Sequence, residues 1–260
     1  MLHSASTVVV GVDGSKAATH AARWAVDEAV SRDIPVRLVY VIEPAGAHEA
    51  RLAAARSALR DAHRAVEATG QPVKIEAEIL VGKPLARLME ESRSAAMICV
   101  GSIGLNHANR GVGSLSASLA ASALCPVAVI RRPTGRPATV RVGRVIVQAD
   151  DGAALRHGFE EARLRHAPLR AIAVSRAVGR DDVDAGRSAQ AQLGRRLARW
   201  KRAYPDVRVE SAVVRGSIDR YLAANEDPDQ LFVTDARACY DLCGAHNAGS
   251  SVLATRSSNL

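Results

Sequence analysis

Aromatic side chains are scarce in this chain, with two Trp, four Tyr and two Phe among 260 residues, 3% of the total. So few rings leave little to stack on exposed bases, which argues against nucleic-acid binding despite a net charge of +8. Cysteine is sparse as well. Cys99, Cys125, Cys239 and Cys243 are scattered, and they form neither a disulfide framework nor a paired zinc knuckle. Cys239 and Cys243 stand about one helical turn apart beside Asp241 and His246, without an evident set of further metal ligands. No apolar run approaches the roughly 18 residues of a membrane span. Met1-Leu2-His3-Ser4 has no basic stretch ahead of an apolar core, so the expected location is a reducing cytoplasm with no membrane attachment.

Signatures of catalysis are also missing. There is no G-x4-G-K-[ST] run, and Gly82-Lys83-Pro84 reads as a turn into a helix. There is no G-x-S-x-G, and no carboxylate or histidine pair stands at a spacing suited to general acid–base work. The expectation is a binding protein, not an enzyme, with no catalytic residues and no resident metal cluster.

The charge that is present is spread over the chain. Residues 1–133 carry 15 basic and 12 acidic residues, and residues 134–260 carry 20 and 15. The densest basic cluster, Arg195 to Arg202, holds Leu197, Ala198 and Trp200 at helical spacing, which reads as the solvated face of a helix.

Hydrophobic residues make up 48% of the chain, and they fall into short runs alternating with helical patterns. Thr7 to Val12 predicts a buried strand, ended by Asp13-Gly14-Ser15, with Ser15 capping a helix over Lys16–Arg32. Ala18, Ala21, Ala22, Ala25 and Ala29 form a small-residue stripe that lets this helix lie close to a sheet. Strands follow at Val36–Ile42 and Val73–Leu80, with a helix from His48 to about Ala68 between them. The alternation of apolar and polar residues in Val73–Leu80 marks it as a sheet edge. A short helix from Pro84 to Ser92 leads to a strand over Ala96–Val100, and Val127–Ile130 is the fifth strand. This β-α alternation predicts a parallel sheet with helices on both faces, and ligands in such folds sit beyond the strand C-termini where the winding reverses.

After the linker-like Arg131 to Pro137 the pattern repeats. Val73 to Val100 aligns without a gap on Val207 to Thr234, and Glu28-Ala29 and Pro35-Val36 fall on Glu161-Ala162 and Pro168-Leu169. The chain is therefore expected to hold two tandem, doubly wound, five-stranded α/β units, over 1–133 and 138–260. They are expected to pack as an intrachain pseudo-dimer through their fifth strands, with homodimerisation of whole chains left open.

One feature is not duplicated. Gly101-Ser102-Ile103-Gly104 follows the fourth strand, and Gly113-Ser114 precedes the Ala/Leu-rich helix opening at Leu115. Glycines let backbone N–H groups approach a phosphate, and a helix start adds donors and partial positive charge. In the second half Gly101 becomes Asp235 and Gly104 becomes Ala238, and the stretch to the fifth strand is nine residues shorter. The expectation is one nucleotide site, in the first half.

These residues together resemble the universal stress protein family, and specifically its tandem bacterial members of actinobacterial type. The resemblance rests on Val8 to Ser15, Val41, the G-x2-G of Gly101 and Gly104, Gly113-Ser114, and Cys125 to Val129. It covers residues 5–132 closely and 140–260 more loosely. ATP-binding members carry G-x2-G-x9-G-[ST]; here the middle spacing is eight. The resemblance implies a Rossmann-like adenine-nucleotide fold that takes ATP with Mg2+. In it, Gly11, Val12 and Asp13 line the adenosine end, with the Asp13 carboxylate near ribose or metal. The Val41 backbone reads the adenine edge, Gly101, Ile103 and Gly104 pass under ribose and phosphates, and Gly113, Ser114 and Leu115 hold phosphates. It further implies a regulator of survival under hypoxia or dormancy that is read by an unidentified protein partner. Two alternatives stay open: a slow ATPase or self-phosphorylating enzyme using Ser114 or Ser116, and a nucleotide-free interaction module.

Overall fold

The computed structural model describes residues 6–44, 48–102, 115–131, 141–175, 182–225, 227, 229–236 and 250–256, with the side chains of 182–185 left aside. The first half runs β1 (Val8–Gly11), α1 (Lys16–Arg32), β2 (Val36–Ile42), α2 (His48–Glu67), β3 (Ile75–Val81), α3 (Pro84–Glu91), β4 (Met97–Gly101), α4 (Leu115–Ser122) and β5 (Val127–Ile130). The second half runs β6 (Arg144–Gln148), α5 (Gly152–Leu164), β7 (Leu169–Ser175), α6 (Asp182–Ala203), β8 (Val209–Arg215), α7 (Ile218–Ala224), β9 (Gln230–Asp235) and β10 (Ser251–Thr255).

All ten strands join in one sheet, in the order β3-β2-β1-β4-β5-β10-β9-β6-β7-β8. Within each half every pairing is parallel, and β1 lies between β2 and β4, so the winding reverses beside β1. The alternating strand β3 is an edge, as its sequence predicts. The two halves meet at β5 and β10, which pair antiparallel with Val127 opposite Ala254 and Val129 opposite Val252. This is the expected junction through the fifth strands. It also explains why Val127-Ala128-Val129-Ile130 is buried throughout, since the strand has a neighbour on each side and helices above and below.

The ladder registers reproduce the internal repeat. Ile98 pairs with Val127, and Phe232 pairs with Val252, so the nine-residue shortening falls between β9 and β10. Val8 pairs with Val36, and Val145 with Leu169, so Val8 and Val145 hold the same place in the two halves.

Two apolar layers enclose the sheet. On one face α1, α2, α5 and α6 cover Val8, Val10, Leu38, Val145 and Val147. On the other α3, α4 and α7 cover Val9, Val39, Ile98, Val100 and Phe232. The alanine stripe of α1 is buried along its whole length, and it brings that helix against the C-terminal end of β4. A Cβ built on Gly101 would stand 2.8 Å from the Ala17 carbonyl carbon and 2.9 Å from the Ala18 nitrogen. Backbone atoms cannot move aside cheaply, so the first turn of α1 itself requires glycine at position 101.

The second half removes that requirement by shortening its helix. Ser15 caps α1 and left-handed Asp33 follows 18 residues later, whereas Asp151 caps α5 and left-handed His166 follows 15 later. Close to one helical turn is missing, and Asp235 stands where Gly101 does in the first half. Beside the phosphate-loop role expected of Gly101, its lack of a side chain has a packing cause.

Candidate functional site

The crevice lies where β1, β2 and β4 end. The last rung between β1 and β2 is the bond from the Val12 N–H to the Val39 carbonyl, at 2.8 Å. Backbone groups of a strand point alternately to its two neighbours, so Val41 directs its N–H and C=O to the same side as Val39. At that level β1 has already turned away into Asp13-Gly14-Ser15. The main-chain groups of Val41 therefore face the opening, while β3 supports the strand from behind through the Val41–Leu80 pair.

The turn that clears this space is tightly specified. Gly14 has φ of +86°, a conformation that favours glycine. The Asp13 Oδ1 accepts from the Ser15 N–H at 2.9 Å, and the Ser15 Oγ accepts from the Ala18 N–H at 3.0 Å. Asp13 thus shapes the cap of α1 with one oxygen, and its side chain stays half-exposed at the crevice rim.

Gly11 forms the floor. Its missing side chain would lie on the α3/α4 face, where a Cβ would meet Val100 Cγ1 at 3.1 Å and Leu88 Cδ1 at 3.4 Å. Leu115, the first residue of α4, packs half-buried against the same apolar layer as Val41. The fold therefore brings Gly11, Val12, Asp13, Val41 and Gly101 to one end of the sheet, with Leu115 on the same face. Ile103, Gly104, Gly113 and Ser114 lie outside the described residues, as do Cys239, Cys243 and their acidic and histidine neighbours. Among the described residues no three His, Cys, Asp or Glu side chains gather as a metal cluster.

The second half gives the same place a different filling, which the alignment by sequence missed. Gly11 pairs with Val39, and Gln148 pairs with Ile172 at the equivalent rung. Gln148 carries a side chain where Gly11 has none, and its Nε2 donates to the Asp150 Oδ2 at 3.3 Å. Asp150, the counterpart of Asp13, is also held by Arg196 of α6, Nη1 to Oδ1 at 3.0 Å. Arg196 belongs to the basic cluster of α6, so at least part of that face serves ion pairing within the chain.

A profile of the universal stress protein family matches residues 5–131. A universal stress protein of Mycobacterium tuberculosis is 59% identical over 98% of each chain. A second protein of that description from the same organism is 47% identical, over 85% of this chain and 82% of its own. Among solved structures, a universal stress protein from Archaeoglobus fulgidus superposes across 97% of each chain with a TM-score of 0.68 at 14% identity, a likeness of fold alone.

Proposed function

The chain belongs to the universal stress protein family, and from that premise we propose that its first half binds one ATP, with Mg2+, as a nucleotide-responsive regulator of survival under stress or dormancy. The observation that carries this reading is the contrast between Gly11 and Gln148. At the strand end beside the Val41 main chain the same scaffold has a glycine packed against Val100 and Leu88 in one half and a glutamine anchored on Asp150 in the other.

The residues fit the adenosine end of such a ligand. Val41 offers one donor and one acceptor at a strand end, the complement of an adenine edge. Gly11 and Val12 stand at the end of β1 beside it, and the side chains of Val100 and Leu88 make the α3/α4 face at Gly11 apolar. Asp13 presents a carboxylate to a ribose hydroxyl or to the metal, because a carboxylate does not stabilise a phosphate directly. By the family resemblance Gly101, Ile103 and Gly104 would hold the ribose and phosphates, and Gly113, Ser114 and Leu115 would supply donors to the phosphates. Mg2+ supplies charge neutralisation of the polyphosphate when bound.

The reading is one of binding, with occupancy of the site altering a surface that a protein partner reads. A cytoplasmic location accords with this; among the described residues no helix is long and apolar enough to cross a membrane. Melting the full chain with and without Mg-ATP tests the proposal. Ligand at 100 times Kd adds about 2.7 kcal/mol of stability, so a curve unmoved at about 1 mM contradicts it. Labelled ATP incubated with the pure protein is expected to be recovered as ATP; steady turnover points to the enzyme alternative.

A further inference from the structure

Where the two halves meet, α1 and α5 lie against each other, and the residues between them are charged. Glu28 of α1 and Glu161 of α5 are 0% and 2% exposed, and they occupy equivalent positions in the repeat. Arg165, following α5, is the link. Its Nη2 is 3.1 Å from the Glu28 Oε1, its Nε 3.4 Å from the Glu161 Oε2, and its Nη1 2.5 Å from the Asp27 Oδ2. Its guanidinium also lies 4.0 Å from the centre of the Trp24 ring, a desolvated cation–π contact. Arg32, the repeat counterpart of Arg165, stays on its own helix and reaches the Glu28 Oε2 at 3.1 Å.

The two buried glutamates share one guanidinium, Glu28 at the Arg165 Nη2 and Glu161 at its Nε. Two buried carboxylates on one guanidinium repel each other, and burial favours the neutral form of one of them. The charge count agrees. Asp27, Glu28 and Glu161 are three carboxylates against the two cations Arg165 and Arg32, so full ionisation would leave the cluster one negative charge in excess, with Glu28 and Glu161 both buried.

Other groups face the cluster. On α5, His157 and Glu160 form their own pair, Nδ1 to Oε2 at 3.1 Å. Beneath, on β4, is Cys99, whose thiol is pushed up first by burial and then by the negative charge of Glu28. The strands β5 and β10 contribute Ala128, Ile130 and Leu253 to that core, with nothing that titrates.

We propose that a single proton held by Glu161, in the buried cluster around Arg165, fastens the two halves of the chain, so that the α1–α5 contact tightens on acidification and loosens as pH rises. Burial, then the charge of Glu28, raises the Glu161 carboxyl well above its ordinary 4.5. A group that binds its proton more tightly when folded contributes stability that is complete below its unfolded pKa. That contribution is lost as pH rises through the folded one. Between the two values the folding constant falls about tenfold per pH unit.

The test compares the full chain with Glu161→Gln in urea unfolding from about pH 5 to about pH 9. Glutamine keeps the volume and an oxygen for Arg165, but has no proton to lose. The ratio of the two folding constants is expected to change about tenfold per pH unit in favour of the variant as pH rises toward the folded pKa; a ratio independent of pH overturns the proposal. Two measurements need no change at Glu161. Infrared spectra of the wild type at neutral pH are expected to show the carbonyl band of a protonated carboxyl, and its absence overturns the assignment. In Trp200→Phe, Trp24 is the remaining tryptophan. Its emission is expected to change with pH as stability does, and an emission constant with pH removes the proton from this junction.

Discussion

Gly11 and Gln148 stand on equivalent rungs of two matching half-sheets, Gly11 opposite Val39 and Gln148 opposite Ile172. One position has no side chain, and the other carries an amide anchored on Asp150. A scaffold that buries the same apolar layers in both halves thus ends its first strand on a bare backbone in one and on a polar side chain in the other.

Importing the second half's residue should close the first. Gly11→Gln is expected to abolish the thermal shift produced by Mg-ATP. It should also cost about 1–3 kcal/mol of stability, because its Cβ arrives 3.1 Å from Val100 Cγ1. Melting curves with and without nucleotide separate the two effects.

Gly101 makes the opposite prediction. Gly101→Ala brings a Cβ within 2.8 Å of the α1 backbone, so about 1–3 kcal/mol should be lost before any nucleotide is added. Urea unfolding of the nucleotide-free protein measures this. An alanine variant as stable as the wild type would return Gly101 to a purely ligand-facing role.

Asp13 has two separable roles. Asp13→Asn keeps an oxygen for the Ser15 N–H and should retain the cap of α1, whereas Asp13→Ala should lose about 1 kcal/mol. Both remove the charge, so both should weaken the magnesium dependence of nucleotide binding, read as the difference in melting shift with and without the metal.

Neighbouring glutamates should titrate in opposite senses. Burial favours the neutral form of Glu160. The hydrogen bond from His157, together with the charges of His157, Arg156 and Arg32, outweighs that and holds it below 4.5. A depressed carboxylate contributes stability above its unfolded pKa and loses it as pH falls through the folded value. Glu160→Gln should therefore flatten the acid limb of stability below about pH 4.5, a region in which Glu161→Gln leaves the slope unchanged.

Much of this architecture is legible in the amino acids, because local signals and tertiary demands agree. Pro35 and Pro44 bracket the apolar run of β2, Ser15 announces α1, and the alternation in Val73–Leu80 marks an edge strand. Strand order is not legible, since nothing local to β1 says that β4 lies beside it. The equivalence of Gly11 and Gln148 is hidden for a different reason. The missing turn of α5 shifts the alignment between β1 and β2, so matching the better-conserved later strands passes over it. Gly101 shows the converse failure, where a glycine read for its ligand is also dictated by a helix packed 2.8 Å away.

The central claim is that two copies of one scaffold hold a single nucleotide site. Calorimetric titration of the full chain with Mg-ATP tests it most directly through stoichiometry. The account predicts one nucleotide per chain, lost in Gly11→Gln. Two per chain, or one that survives that substitution, contradicts it.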